Sequence, residues 1–388
     1  MYKKEIAGIK NEIIKLRRDF HQYPELAFAE KRTSEKITNY LKRLDLEVKT
    51  GVAGTGVVGS LSGQGRGKTL LLRADMDALP INEKNRIAYK SKNEGVMHAC
   101  GHDGHMAILL AVAKILTAHQ KDFKGNIKFV FQPGEEGYGG AKIMIKEGVL
   151  KKPKVNAALG LHISSLLPTG MIGLRVGTTM ASMDDFSVRI HGRGGHAAIP
   201  DSGVDAILMS AQAITTLQSI ITKEVSPVQP AVLHVGLIKG GDAFNVIADF
   251  AEFHGTVRTF DETLQKSMPD RIDRILKGVT QALRGSHELD YKFGYPPVVN
   301  DRGMSILVKQ EAENVLGQGM VLEMPATMTS DDMAYFQREV PGCYFFLGAG
   351  NKKKNIDQPN HNSRFNIDED ALPLGVEVMV RSAMAYLT

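Results

Sequence analysis

The sequence predicts an α/β fold with a mixed central sheet flanked by helices, interrupted by an inserted α+β domain. Three observations lead there. Short apolar runs of strand character alternate with helical stretches along the N-terminal part of the chain. Between about Ala181 and Phe293 the rhythm changes to the order β-α-β-β-α-β, that of a ferredoxin-like split unit. After "YPPVV" the strand and helix alternation resumes and continues to the C-terminus.

Taken in order, "EIIKLRRDFHQYPEL" has apolar residues at helical spacing and stops near Pro24, predicting an N-terminal helix. "KTLLLRADMDALP" predicts a strand over 69–72, followed by Asp75 and Asp77. The run "MAILLAVAKIL" predicts a helix that starts after "HACGHDGH" and reaches about His119. "NIKFVFQPGEEGYGG" predicts a strand over 127–131, which Pro133 and Gly134 end just before Glu135 and Glu136. "NAALGLHISS" predicts a third strand over 157–161, ending at His162.

In the inserted stretch, "DDFSVRIHGRG", "AVLHVGLIKGG", "DFAEFHGTVRTF" and "ELDYKFGY" read as strands. "VDAILMSAQAITTLQSII" and a segment from about Asp261 to Leu283 read as its two helices. A final helix covers about 372–386. The expected division is 1–180 with 294–388 for the main domain and 181–293 for the insert.

A chain of 388 residues has room for two or three domains, and 43% hydrophobic with 23% charged residues suits an ordinary globular core. The net charge of +5 is spread along the chain; the longest basic run is Lys352, Lys353 and Lys354. With no basic block interleaved with aromatics and no Trp, nucleic acid is not an expected partner. The opening "MYKKEIAGIKNEIIKLRRDF" is charged throughout and unlike a signal peptide. Lys114 interrupts the best candidate for a membrane span, which needs ~18 apolar residues. Neither export nor membrane insertion is expected, so Cys100 and Cys343 read as reduced thiols of a cytoplasmic protein.

In open α/β sheets, ligands bind beyond the carboxyl ends of the strands. Here three successive strands end in Asp, a Glu pair and His, while a loop entering a helix adds Cys and His. Cys100, His102, Glu136 and His162 are metal-ligand types, and His361 in "DQPNHNSRF" is a fifth. Thiolate, imidazole and carboxylate together suit Zn²⁺ or another borderline divalent ion. A thiolate can bridge two ions, and ions ~3.5–4 Å apart can clamp a nucleophilic water and a substrate oxygen. Neighbouring side chains in an extended loop diverge, so in "PGEE" one Glu can bind metal while the other serves as general base. His98 and His105 read as supporting or capping groups, and His119, His191, His234, His254 and His287 as surface or packing residues.

These residues resemble the metal-dependent amidohydrolases of the aminoacylase and carboxypeptidase superfamily. The nearest branch is that of hippurate hydrolases, N-acyl-amino-acid deacylases and plant auxin-conjugate hydrolases. "RRDFHQYPELAFAE", "LRADMDALP", "MHACGHDGHMA", "FQPGEEGYGGA", "GLHI", "GRGGHAAIP", "FNVIA", "GTVRTF" and "PNHNSRF" match in order, over nearly the whole chain. The resemblance implies two divalent metal ions per subunit (Zn, Mn, Co or Ni), bridged by Cys100. His102 and His162 are implied on one ion, Glu136 and His361 on the other, with Glu135 as base and proton shuttle. Asp77 is implied to orient a metal-ligating side chain.

By the same resemblance the insert is a lid that also builds a homodimer or higher homo-oligomer. His196 is implied to stabilise the oxyanion, within its own chain or from the partner subunit, and Asn245 and Arg258 to hold the substrate carboxylate. The pattern departs at Asp201, where relatives often have His, at Ala248, where Pro is common, and at Asp331, where Glu is common. The implied reaction is hydrolysis of the amide of an N-acetyl or aroyl amino acid, a small molecule. Alternatives are a dipeptidase or carboxypeptidase on the same site, or a non-catalytic metal-binding regulatory protein. Glu135, which the metals alone do not require, favours an enzyme.

Overall fold

A computed structural model describes residues 2–388. The chain divides into two compact units, one of residues up to 179 with 299–325 and 331–388, the other of 180–298 with 326–330.

The first unit is organised by an eight-stranded mixed sheet. Its order is Glu47–Val52, Gly56–Ser62, Asn126–Gln132, Thr69–Asp75, Ala157–Pro168, Gly342–Gly350, Ile172–Leu174 and Val321–Glu323. The four strands from Asn126–Gln132 to Gly342–Gly350 are mutually parallel, and the Glu47–Val52 and Gly56–Ser62 hairpin adds antiparallel strands at one edge. Parallel strands are stable where both faces are covered, and Thr69–Asp75 is buried at every position. The helix His102–Ala118 supplies part of that cover, packing on Thr69–Asp75 and against helices Lys10–Gln22 and Leu372–Leu387.

Register brings the polar strand ends together. Asp75 pairs with Gln132, so the segments carrying Asp77 and the Glu135–Glu136 pair leave the sheet at the same edge. Two elements differ from the sequence expectation. The helix begins at His102, inside the histidine motif, because Gly101 takes a left-handed turn with φ of 93°. His162 lies within a strand, since pairing with Gly342–Gly350 continues through His162 and Phe346 and on to Pro168.

The second unit is a four-stranded antiparallel sheet ordered Ala231–Gly240, Phe250–Thr259, Met183–His191, Ser286–Tyr295. Helices Ala206–Ser219 and Glu262–Ala282 complete the β-α-β-β-α-β order. Met183–His191 alternates buried and more exposed positions, as expected of a sheet covered on one face. Its inward Phe186, Val188 and Ile190 share a core with Met209, Met268 and Ile272 of the helices. Among the described residues no helix is long and apolar enough to cross a membrane.

A buried ion cluster joins the N-terminal helix to the histidine motif. Arg17 and His21 are fully buried; Arg17 Nε and His21 Nδ1 each lie 2.8 Å from Asp103 Oδ2. His21 Nε2 faces Glu83 Oε1 at 3.2 Å, so each ring nitrogen meets a carboxylate. Burial and Arg17 push the imidazole towards its neutral form, but Asp103 and Glu83 outweigh them and raise its pKa. A raised folded pKa means stabilisation that is complete below the unfolded value of ~6.5 and is lost as pH rises through the folded one. His21→Gln is therefore expected to cost about 1–3 kcal/mol near pH 6. Denaturant melts at increasing pH should show that gap narrowing; a constant gap would mean that a neutral His21 contributes the same.

Candidate metal centre

Five side chains of metal-ligand type converge in the first unit. Gly101 separates Cys100 from His102, and a Cβ in its place would lie 3.3 Å from Ile163 Cβ, so the close turn depends on glycine. His162 Nδ1 donates to the Ile163 carbonyl at 2.9 Å, which leaves Nε2 as the nitrogen with the lone pair, facing the Cys100 thiol at 3.4 Å. His102 Nδ1 donates to the Asp77 carbonyl at 2.8 Å, while its buried Nε2 has no hydrogen-bond partner among the described residues. In the neutral form of each ring, these bonds select the tautomer whose unprotonated nitrogen is Nε2.

Cys100, His102 and His162 offer ligand atoms all within 4.8 Å of one another, and so do Cys100, Glu136 and His361. Cys100 belongs to both groups. His361 reaches the cluster on a loop where its φ is +68°, its N–H donating to the Ala99 carbonyl at 2.7 Å. Its Nε2 lies 3.1 Å from Glu136 Oε1. Asn360 pins that loop by donating to the carbonyls of Cys100, at 3.0 Å, and Ile163, at 3.2 Å. An unpartnered buried nitrogen beside a thiol and a carboxylate is the donor set a divalent cation requires.

Two further clusters of similar composition do not fit a cation. In Asp75, His102 and His105, both ring nitrogens of His105 are spent: Nδ1 donates to Asp75 Oδ1 at 2.6 Å and Nε2 accepts from Ile163 N at 2.9 Å. In Glu135, Asp331 and Asp332, the Arg73 guanidinium already supplies the positive charge, 3.3 Å from Asp331 Oδ1 and 2.9 Å from Asp332 Oδ1.

Glycines shape the loop that carries the two glutamates: Gly134, Gly137 and Gly139 all have positive φ. The Asp77 carboxylate accepts from Glu135 N at 3.0 Å and Glu136 N at 2.9 Å, so Asp77 serves the centre twice, by its carbonyl to His102 and by its carboxylate to this loop. Glu135 is buried, and burial together with Asp331 and Glu136 holds its carboxyl well above the usual range. Burial, then Glu136 and Glu135, push the Cys100 thiol well up. Burial would lower His102, but Asp75 and Asp77 raise it to about 10; burial pushes His162 down to about 3. The pocket holds excess negative charge.

His196, Asn245 and Arg258 lie in the second unit. His196 and Val246 pair across two short antiparallel strands distant in sequence, which brings exposed His196 and exposed Asn245 together. His196 Nδ1 accepts from Ala198 N at 3.0 Å. Arg258 is half-buried and donates to the Met328 carbonyl at 3.2 Å and Ser330 Oγ at 3.3 Å. Reasoning from sequence missed Glu30, Arg73, Gln132 and Asp332, whose contacts support the glutamate loop. The readable signal was Arg73, a charge directly after the apolar run Leu70, Leu71 and Leu72; nothing in the sequence marks Gln132 or Asp332.

Comparison with known proteins agrees with this chemistry. Residues 71–385 match the family described as peptidase family M20/M25/M40. An N-acyl-L-amino acid amidohydrolase of Geobacillus stearothermophilus is 43% identical over 299 residues, 77% of this chain and 80% of its own length. Thermostable carboxypeptidase 1 of Saccharolobus solfataricus is 39% identical over 377 residues, 96% of this chain and 95% of its own. The crystal structure of a Bacillus subtilis protein described as a dinuclear metal binding peptidase from M20 family matches with a TM-score of 0.86 at 31% identity, covering 98% of this chain and 99% of that one.

Metal uptake should release protons, because a ligating thiol must become a thiolate and a cationic imidazole must become neutral. Titrating metal-free protein with Zn²⁺ or Mn²⁺ at pH 7 in an unbuffered cell should release on the order of one to two protons per chain, from Cys100 and His102. Affinity should fall as pH falls. Binding without proton release would show that neither group enters the coordination.

Proposed function

This chain belongs to peptidase family M20/M25/M40 and is a hydrolase of carbon–nitrogen amide bonds, and from that premise we propose that it deacylates N-acyl amino acids at a dinuclear metal centre. The observation that carries the reading is Cys100, shared by two ligand groups beside a loop that carries two differently placed glutamates. On this reading Cys100 would be shared by the two ions, with His102 and His162 holding one and Glu136 and His361 the other. Bound there, Zn, Mn, Co or Ni would supply carbonyl polarisation and a lowered pKa for water, towards ~7.

The chain's own residues do the rest. Glu135 is the general base: it takes a proton from the attacking water and returns it to the amine nitrogen as the C–N bond breaks, leaving a carboxylic acid and a free amino acid. Asp77, by fixing the N–H groups of Glu135 and Glu136, keeps the two carboxylates in separate roles. The second unit is the lid. Its His196 donates to the oxyanion, and Asn245 and Arg258 bind the carboxylate of the amino acid. Arg258 suits that task because its hydrogen bonds go to neutral acceptors, which leave its charge for an incoming anion.

The lid edge strand Ala231–Gly240 exposes Leu237 and Ile238, at 44% and 50%, which supports a homodimer formed through this sheet edge. Both cysteines are free thiols, consistent with a cytoplasmic setting. A carboxypeptidase reading is favoured by the name of the Saccharolobus solfataricus relative and uses the same residues. Turnover of N-acetyl-methionine, hippurate and a dipeptide panel with added Mn²⁺, Co²⁺ or Zn²⁺ separates the two.

Glu135→Gln should retain metal near the wild-type level while turnover drops by ~10²-fold or more. Glu136→Gln should lose metal from one site. Elemental analysis beside rate measurements decides this, and equal metal loss in both variants would sink the assignment. If His196 serves the partner's site, His196→Ala and Glu135→Gln homodimers should both be nearly inactive, yet recover part of the activity when dissociated and mixed. No recovery, with heterodimers confirmed by native mass spectrometry, would place His196 in its own chain's site or outside the mechanism.

A further inference from the structure

The loop bearing Glu135 and Glu136 leaves the sheet at Gln132 and re-enters regular structure at the helix Gly140–Lys146. With three positive-φ glycines it has little intrinsic stiffness. Its upper part is tied to Asp77, and Gly134 N donates to Glu30 Oε1 at 3.2 Å. Its two feet are tied to one other residue. Asp332, fully buried, accepts from Gln132 Nε2 at 2.7 and 2.8 Å on its two oxygens, and from Ala141 N at 2.9 Å.

Asp332 is itself locked. Arg73 Nη2 donates to Asp332 Oδ1 at 2.9 Å and Arg73 Nε to Gln132 Oε1 at 2.9 Å, closing a ring of three side chains under the loop. The same guanidinium reaches Asp75 Oδ2 at 2.7 Å; Asp75 holds His105, and His105 accepts from Ile163 N, the residue after His162. One buried arginine thereby connects the glutamate loop to the strand bearing His162. Both oxygens of Asp332 are occupied by donors, so it has none to spare for a cation.

We infer that Asp332, held by Arg73 and Gln132, is a positioning residue that keeps the Glu135 loop in register for proton transfer. This rests on Glu135 being the base. Charge-assisted bonds at both feet of a glycine-rich loop restrain it more strongly than neutral ones would. A base displaced by ~1 Å can lose ~10²-fold in rate.

The test is a double-mutant cycle on metal-loaded, full-length protein with N-acetyl-methionine as substrate. Asp332→Asn keeps the shape but turns an amide donor towards donors. It should lower kcat by ~10–100-fold, with KM and metal content close to wild type. In the Glu135→Gln background the same change should cost about twofold or less, because the group it positions is already gone. Equal losses in both backgrounds, or an unchanged kcat in the single variant, would overturn the inference. Near-normal turnover of Glu135→Gln alone would instead overturn the reading of Glu135. Should Asp332→Asn fail to fold, Gln132→Met, which opens the ring and leaves the charges in place, carries the same cycle with the same outcomes.

Discussion

Arg73 lies in the middle of a strand with no solvent-exposed position, and around it Asp75, Asp331 and Asp332 are all buried. Three carboxylates in a protein interior would ordinarily be protonated or excluded, since burying an unpaired charge costs several kcal/mol. The guanidinium changes that by offering fixed N–H donors in several directions, to Asp75, Asp332, Gln132 and the Tyr344 hydroxyl. Lysine, with a single point charge, could not satisfy that many acceptors lying in different directions. Even so the compensation is incomplete: burial outweighs Arg73 and raises Asp332 above the usual carboxylate range. The sheet edge is built around this partial balance, and the glutamate loop and the His162 strand both hang from it.

Around that hub, the histidines are sorted by what their second nitrogen does. His102 and His162 each give Nδ1 to a backbone carbonyl, and His105 has both nitrogens engaged. The first two are left with a ligand-ready Nε2 and the third is left with none. Residue type does not distinguish them; only the identity of a neighbouring carbonyl or carboxylate does. His98, buried with neither ring nitrogen hydrogen-bonded among the described residues, is held neutral by burial, its pKa pushed down to about 3. Its polar atoms have no counterpart that the structure explains.

The two units divide the chemistry by kind. The first gathers thiol, imidazole and carboxylate groups around buried Cys100 and His102, with His162 and Glu136 partly buried and His361 exposed. The second carries His196 and Asn245 at exposed positions and Arg258 at a half-buried one, on an antiparallel sheet with its own core. Specific side chains on a rigid sheet edge can be held to fractions of an ångström, whereas exposed loop residues adapt to what they bind.

The amino-acid sequence by itself determined the strand and helix alternation and the change of rhythm beyond Ala181, because apolar periodicity is a local property of the chain. It also marked Cys100, His102, Glu136, His162 and His361 as metal-ligand types, since their chemistry shows in their identity and in the strand ends and loops that carry them. The parallel pairing of Asp75 with Gln132 was decided only by the tertiary structure, and with it the convergence of those ends. So was the part played by Asp77, whose carbonyl serves His102 and whose carboxylate serves the loop. Asp332 lies two hundred positions beyond Gln132 and meets it only when the chain folds. Burial turns an ordinary aspartate or arginine into an organising charge, and burial is a property of the folded chain that no local stretch of sequence contains.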